Sequence, residues 1–157
     1  MPRRLPRRFA GLLLLSTFGA TQPSAAQITV AGVRDLSFGS VTRGIPASIS
    51  PSDVVNSGQW NIGVAALRTI RLTFTLPTNL TGPGGATLPI TFGNSDAWRK
   101  ETLALGAGTF FNPNNPVTFL VLLGPTVTVR LGGLVSPSVS QVAGSYQGTV
   151  ILTVLLL

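Results

Sequence analysis

Apolar and polar residues alternate along most of this chain, in runs too short to be anything but β-strands. The cleanest run is Arg68-Thr69-Ile70-Arg71-Leu72-Thr73-Phe74-Thr75-Leu76. Successive side chains in a strand point to opposite faces, so Ile70, Leu72, Phe74 and Leu76 point inward and Arg71, Thr73 and Thr75 outward. Pro77 ends the run. Shorter runs of the same kind cover 28–33, 36–41, 45–49, 59–64, 88–92, 117–123 and 127–131. In them Leu36 and Phe38 share a face, as do Trp60, Ile62 and Val64, and Leu88, Ile90 and Phe92. Gly124-Pro125 parts the two late runs, and Leu134 and Val135 continue after Gly132-Gly133. Residues 79–85, with a Gly-Pro-Gly-Gly centre, read as a loop. Residues 110–116 read as a turn-rich break, and 93–108 as the least regular part of the chain.

The stretch 143–157 stands apart. Gly144-Ser145 signals a turn, and a strand rich in β-branched residues follows. Tyr146, Gly148, Val150, Leu152, Val154 and Leu156 lie on one face. The other face starts polar at Gln147 and Thr149 and ends apolar at Leu155 and Leu157. A strand this apolar on both faces has to be covered, either by its own chain or by a partner. Val150, Leu152, Val154 and Leu156 are therefore the expected assembly edge. Residues 27–33, with Ile28, Val30 and Val33, form an extended alternating segment suited to cover such an edge.

Once the first residues are set aside, no segment keeps helical periodicity for more than a turn or two, and no repeat is visible. Roughly seven to nine short strands, with turn signals about every ten residues, predict an antiparallel β-sandwich. No shift in composition marks a second domain, so 27–157 is expected to be one domain. Residues 1–26 read as a secretory signal peptide. A basic Met-Pro-Arg-Arg-Leu-Pro-Arg-Arg start precedes an apolar run over 9–20, and Ser24-Ala25-Ala26 offers small residues for cleavage before Gln27. That run is too short for a permanent membrane span. The arginine pairs fit a twin-arginine export motif poorly, which favours general secretion.

The formal charge of +7 comes largely from Arg3, Arg4, Arg7 and Arg8. Without them seven cations face four carboxylates, thinly spread, so no electrostatic footprint for nucleic acid remains. The chain has no cysteine and no histidine. That excludes disulfides, thiolate zinc sites, a cysteine nucleophile and the commonest general base. Asp96 and Glu101 are the nearest approach to a carboxylate pair, and their spacing does not demand a glycosidase geometry. No Gly-x-Ser-x-Gly elbow appears, and no Gly-Lys-Ser/Thr follows the glycines at 82–85. Asp35, Asp53 and Asp96 are too scattered to suggest calcium. No catalytic, cofactor or metal site is expected. Trp60 reads as core. Tyr146 reads as a buried ring with its hydroxyl on backbone. Trp98, beside Arg99 in a polar loop, is the candidate ligand contact.

Several of these pieces resemble a known pattern. Leu36-Ser37-Phe38-Gly39 resembles the opening of bacterial pilin-like domains, and 60–77 their central strand pair. Leu131-Gly132-Gly133-Leu134, followed by Gly144-Ser145-Tyr146-Gln147-Gly148-Thr149, resembles the ending of the family called domain of unknown function 4402. The likeness extends more loosely to spore coat protein U and to subunits of archaic chaperone–usher pili. Only the last thirty or so residues are specific. The chain departs from such pilins in ending Leu155-Leu156-Leu157 rather than near a tyrosine, and from the coat proteins in lacking cysteine.

The resemblance implies an exported, immunoglobulin-like sandwich with a structural or adhesive role at the cell surface, as in a fimbrium, and no enzymatic activity. It implies partners that are other copies or related subunits, joined by strand addition, with a periplasmic chaperone and an outer-membrane usher as further partners. A self-complete secreted sandwich that binds carbohydrate or another surface ligand through loops such as 93–108 is the alternative. The two differ in whether the strand beside 150–156 comes from the same chain.

Overall fold

The computed structural model describes residues 28–157, and the signal peptide expected over 1–26 lies outside them. The alternating runs form strands wherever a neighbour can complete their hydrogen bonds. In chain order these are β1 (Thr29–Arg34), β2 (Ala47–Ile49), β3 (Gly58–Gly63), β4 (Arg68–Thr75), β5 (Asn79–Thr81), β6 (Thr87–Thr91), β7 (Ala97–Glu101), β8 (Thr109–Phe111), β9 (Val117–Val121), β10 (Thr126–Leu131), β11 (Gly133–Val135) and β12 (Ile151–Leu156). One 3₁₀ turn covers Pro83–Gly85. The strands make a five-stranded sheet, β1-β3-β10-β7-β8, a four-stranded sheet, β2-β11-β6-β5, and a three-stranded sheet, β12-β4-β9. Every pairing within them is antiparallel. The described residues are all-β, and their sheets are arranged consistently with a β-sandwich.

The main core lies between the five-stranded and three-stranded sheets. Ile62, Val127, Val129 and Leu131 face Ile70, Leu72, Phe119 and Val121, and all are buried. These are the inward members of each alternation, and burying one such side chain is worth about 1.5–3 kcal/mol. The ring of Trp60 meets Phe74 edge-on at 5.6 Å, joining β3 to β4. The guanidinium of Arg99 lies 3.7 Å from the Phe119 ring centroid, joining β7 to β9. Burial pushes the Arg99 pKa down, while the charge of Glu101 acts the other way. With β3 opposite β4 and β7 opposite β9, the open strands β1 and β12 fall on the same side of the sandwich. A second, smaller core of Leu88, Ile90 and Val135 sits on the four-stranded sheet, with Leu36, Phe38, Val41 and Tyr146 packed against it.

Some segments differ from the reading of the sequence. Residues 93–108 contain β7, an interior strand between β10 and β8. Its alternation is hidden because an arginine takes an inward position and a tryptophan an outward one. Residues 36–41 join no ladder, yet Leu36, Phe38 and Val41 still pack inward. Residues 79–81 and 109–111, read as loop and break, pair as short strands with β6 and β7. The last strand starts at Ile151, because 143–150 wraps the second core through a single bridge, Thr81 to Gln147.

Gly132 is required by close approach. A side chain there would run into the Ile49 carbonyl oxygen and the Pro51 ring. At the same end of the molecule Asp53 organises the turn before β3. Its carboxylate accepts from Val55 N at 2.8 Å, Asn56 N at 2.9 Å and Asn56 Nδ2 at 2.8 Å. The Asn56 side chain first, then these backbone donors, hold its pKa below the usual aspartate value.

Gly132→Ala is expected to cost about 1–3 kcal/mol in urea unfolding. Gly32→Ala, whose site is open, should stay within about 0.5 kcal/mol of wild type. Because the folded pKa of Asp53 is lowered, its contribution is present above the ordinary aspartate range and lost as pH falls through the folded value. The gap in urea midpoint between wild type and Asp53→Ala should therefore be full at neutral pH and close below about pH 4.

Candidate functional site

Strand β12 is bonded to its own chain along one edge. It pairs with β4 from Ile151 opposite Thr75 to Leu156 opposite Ile70, and Leu157 N then donates to Thr69 O at 2.9 Å. In an antiparallel pair the N–H and C=O of one residue point to the same side, and the side alternates along the strand. Leu157 bonds towards β4, so Ile151, Thr153 and Leu155 do too. Leu152, Val154 and Leu156 then point their backbone groups away from β4. Among the described residues no strand lies on that side.

The side chains alternate as well. Val150, Leu152 and Val154 are half-buried and pack against the main core, whereas Ile151, Thr153 and Leu155 are exposed. Leu156 is exposed at the end of the strand. Leu152 and Val154 thus combine an inward side chain with an unpaired backbone. A strand added there would meet a row of backbone donors and acceptors directly above the core.

The edge continues into a trough. An open cavity of about 1030 Å³ lies between residues 35–43 and 141–150, with Val150 at its border with β12. Leu88, Ile90 and Val135 form its apolar floor, with Leu36 and Phe38 on one wall and Tyr146 on the other. Tyr146 is held in place by its hydroxyl, which donates to Val142 O at 2.7 Å and accepts from Gln141 Nε2 at 2.6 Å. Its ring lies over Gly82, where no side chain would fit. The Gly-Ser-Tyr segment therefore builds the wall of the trough.

Of the expected donor residues, Val30 and Val33 lie in β1 and Ile28 stands just before it. Its residues 29–34 pair with β3, from Thr29 opposite Gly63 to Arg34 opposite Gln59, with an irregularity between Gly32 and Arg34. Ile28 packs against the main core, but Val30 is 43 % and Val33 50 % exposed. The segment is docked on its own chain and little buried there. Its C-terminal end is pinned by Arg34, whose Nε donates to Ser57 O at 2.8 Å.

Trp98 is on β7, not in a loop. It stands opposite Arg130 on one side and Phe110 on the other, on the outer face of the five-stranded sheet. The Arg130 guanidinium is 5.0 Å from its ring, and its ring lies against Gly108. Asp96 and Glu101 fall at opposite ends of β7, about 16 Å apart along a strand, beyond the separation of a glycosidase pair. Asp96 Oδ2 accepts from Gly93 N at 2.6 Å, and Glu101 Oε2 accepts from Leu122 N at 3.1 Å and Leu123 N at 2.5 Å. Both carboxylates shape turns. Among the described residues, no three acidic, histidine or cysteine side chains come together as a metal site.

The alternation of 150–156 was visible in the sequence. The trough was not, since its walls come from segments a hundred residues apart. Compared with known proteins, the chain matches no family model, no curated protein and no solved structure.

Proposed function

We propose that the chain is an exported, non-enzymatic subunit of a surface assembly, pilin-like or coat-like, that joins other copies or related subunits by β-strand addition. The observation that carries this reading is the β12 edge, where unpaired backbone groups lie over an incompletely covered core. An unpaired edge of this kind templates another strand, with backbone bonds giving affinity and alternate pockets giving selectivity. The strand order supports an immunoglobulin-like reading. In such a sandwich β1, β3, β10 and β7 take the places of strands A, B, E and D, and β4 and β12 those of C and F. The place of strand G, beside β12, is the one without an occupant among the described residues.

Residues 27–34 of a second copy suit that place. Their sequence is short and alternating, and β1, Thr29–Arg34, is extended and buries little of its own surface on β3. Strand β1 would exchange one edge, that of β3, for another beside the core. Removal of the signal peptide would leave Gln27 at the start of the donor segment. The likeness to domain of unknown function 4402 and to archaic pilus subunits adds to this reading, and it brings a periplasmic chaperone and an outer-membrane usher as candidate partners.

The row of Arg130, Trp98 and Phe110 on the outer sheet face favours a second role, contact with a carbohydrate through stacking. It needs no free edge. Trp98→Ala should abolish glycan binding and leave assembly unchanged.

Two outcomes test strand addition. A chain lacking 27–33 should run as a monomer by chromatography with light scattering, where the chain from Gln27 forms higher species. Assembly that survives this deletion would rule out donation by this segment. The deleted chain should also bind a synthetic peptide of residues 27–34, and Val154→Lys should weaken that binding about tenfold or more, by placing a charge under the added strand. Thr153→Lys, on the exposed face, should not.

A further inference from the structure

The end of the sandwich opposite Asp53 carries an apolar crown. Three loops form it: Val64-Ala65-Ala66-Leu67, Leu103-Ala104-Leu105-Gly106-Ala107 and Leu122-Leu123-Gly124-Pro125. Loops at a protein surface are normally polar, whereas these stretches, apart from Thr102 at the start of the second loop, carry only apolar side chains. Leu67 is 73 %, Leu103 60 % and Leu105 99 % exposed, and Leu122 and Leu123 are also exposed. Hydrogen bonds hold the loops together as one surface. Leu67 N donates to Val121 O at 2.7 Å, Val64 N to Pro125 O at 2.9 Å and Thr102 N to Thr126 O at 2.9 Å. Exposed leucines 155–157 reach the same end beside Thr69.

The aspartates lie away from the crown. Asp35 follows β1, Asp53 precedes β3 and Asp96 precedes β7, so all three aspartates lie at the far end, where exposed Val54 and Val55 flank Asp53. The Glu101 side-chain carboxylate, at the crown end of β7, is turned onto the Leu122 and Leu123 amides. Exposed Arg68 stands next to Leu67 on the rim. The chain also enters the fold at this end, because Thr29 pairs with Gly63. The 27 residues before Ile28 contain the apolar run 9–20 and four arginines.

We infer that the crown seats on a lipid bilayer, with the loop leucines entering the interface and Arg68 among anionic headgroups. Protruding leucines on loops otherwise built mostly of small apolar residues, a cationic side chain at the rim and, before the expected signal peptide is removed, a chain arriving from an apolar, arginine-flanked segment all suit a membrane. This surface meets the β12 edge only at Leu155 to Leu157, and its seating on lipid does not depend on strand addition.

The chain has no cysteine, so one can be introduced for a polarity-sensitive dye. In the full chain, dye at Leu105→Cys should shift blue on vesicles of phosphatidylethanolamine and phosphatidylglycerol and be quenched by lipid-borne quenchers. Dye at Ser52→Cys, at the far end, should do neither. Adding Leu67→Asp, Leu122→Asp and Leu123→Asp should reduce quenching at position 105 about tenfold, with the circular dichroism spectrum unchanged. Quenching that survives these changes would mean that residues 1–27 merely tether the protein, and would overturn the inference. Equal quenching at both positions would also overturn it. So would a blue shift without vesicles that disappears on dilution, which would mark a contact between copies.

Discussion

The constraint on which the rest depends is backbone hydrogen bonding along one strand. Every N–H and C=O that leaves water needs a partner, and one left bare beside a core costs about 1–3 kcal/mol. Strand β12 meets this requirement on its β4 side. On the other side Leu152 and Val154 point unpaired groups outward while their side chains point into the core. The sandwich is well packed at its centre, and among the described residues no strand lies beside the second edge of β12. An added strand would satisfy the whole row of alternating donors and acceptors at once, which a single side chain cannot do.

The neighbouring features follow from that gap. The trough over Leu88, Ile90 and Val135 continues the open flank, and Tyr146, fixed by Val142 and Gln141, keeps its wall in place. Strand β1 lies across the gap from β12, bonded to β3 but half-exposed at Val30 and Val33. On the proposed reading, this strand is the one that closes the flank of another molecule. The charged groups take little part. Asp96 and Glu101 cap turns, and Arg99 packs on Phe119.

What the sequence revealed was local. Period-two alternation located β3, β4, β10 and the inward face of β12, because each has one face on the main core. It failed for β7, where Arg99 points inward and Trp98 outward, so that a central strand looks like a polar loop. It overreached at 36–41, where Leu36 and Phe38 do face inward but no neighbouring strand completes a ladder. The choice between an edge covered by its own chain and an open one depends on contacts between distant segments, which periodicity does not encode. The leucine crown was equally hidden. Its three loops lie far apart in sequence, and each alone looks like an ordinary break between strands.

Amide hydrogen exchange, read residue by residue along β12, tests the central claim most directly. In the dilute monomer Ile151, Thr153 and Leu155, bonded to β4, should exchange slowly, whereas Leu152, Val154 and Leu156 should exchange fast. On assembly, or on adding the peptide of residues 27–34, the fast set should slow by about a hundredfold or more. Equal protection of both sets in the dilute monomer, or a fast set unchanged on assembly, would contradict the account.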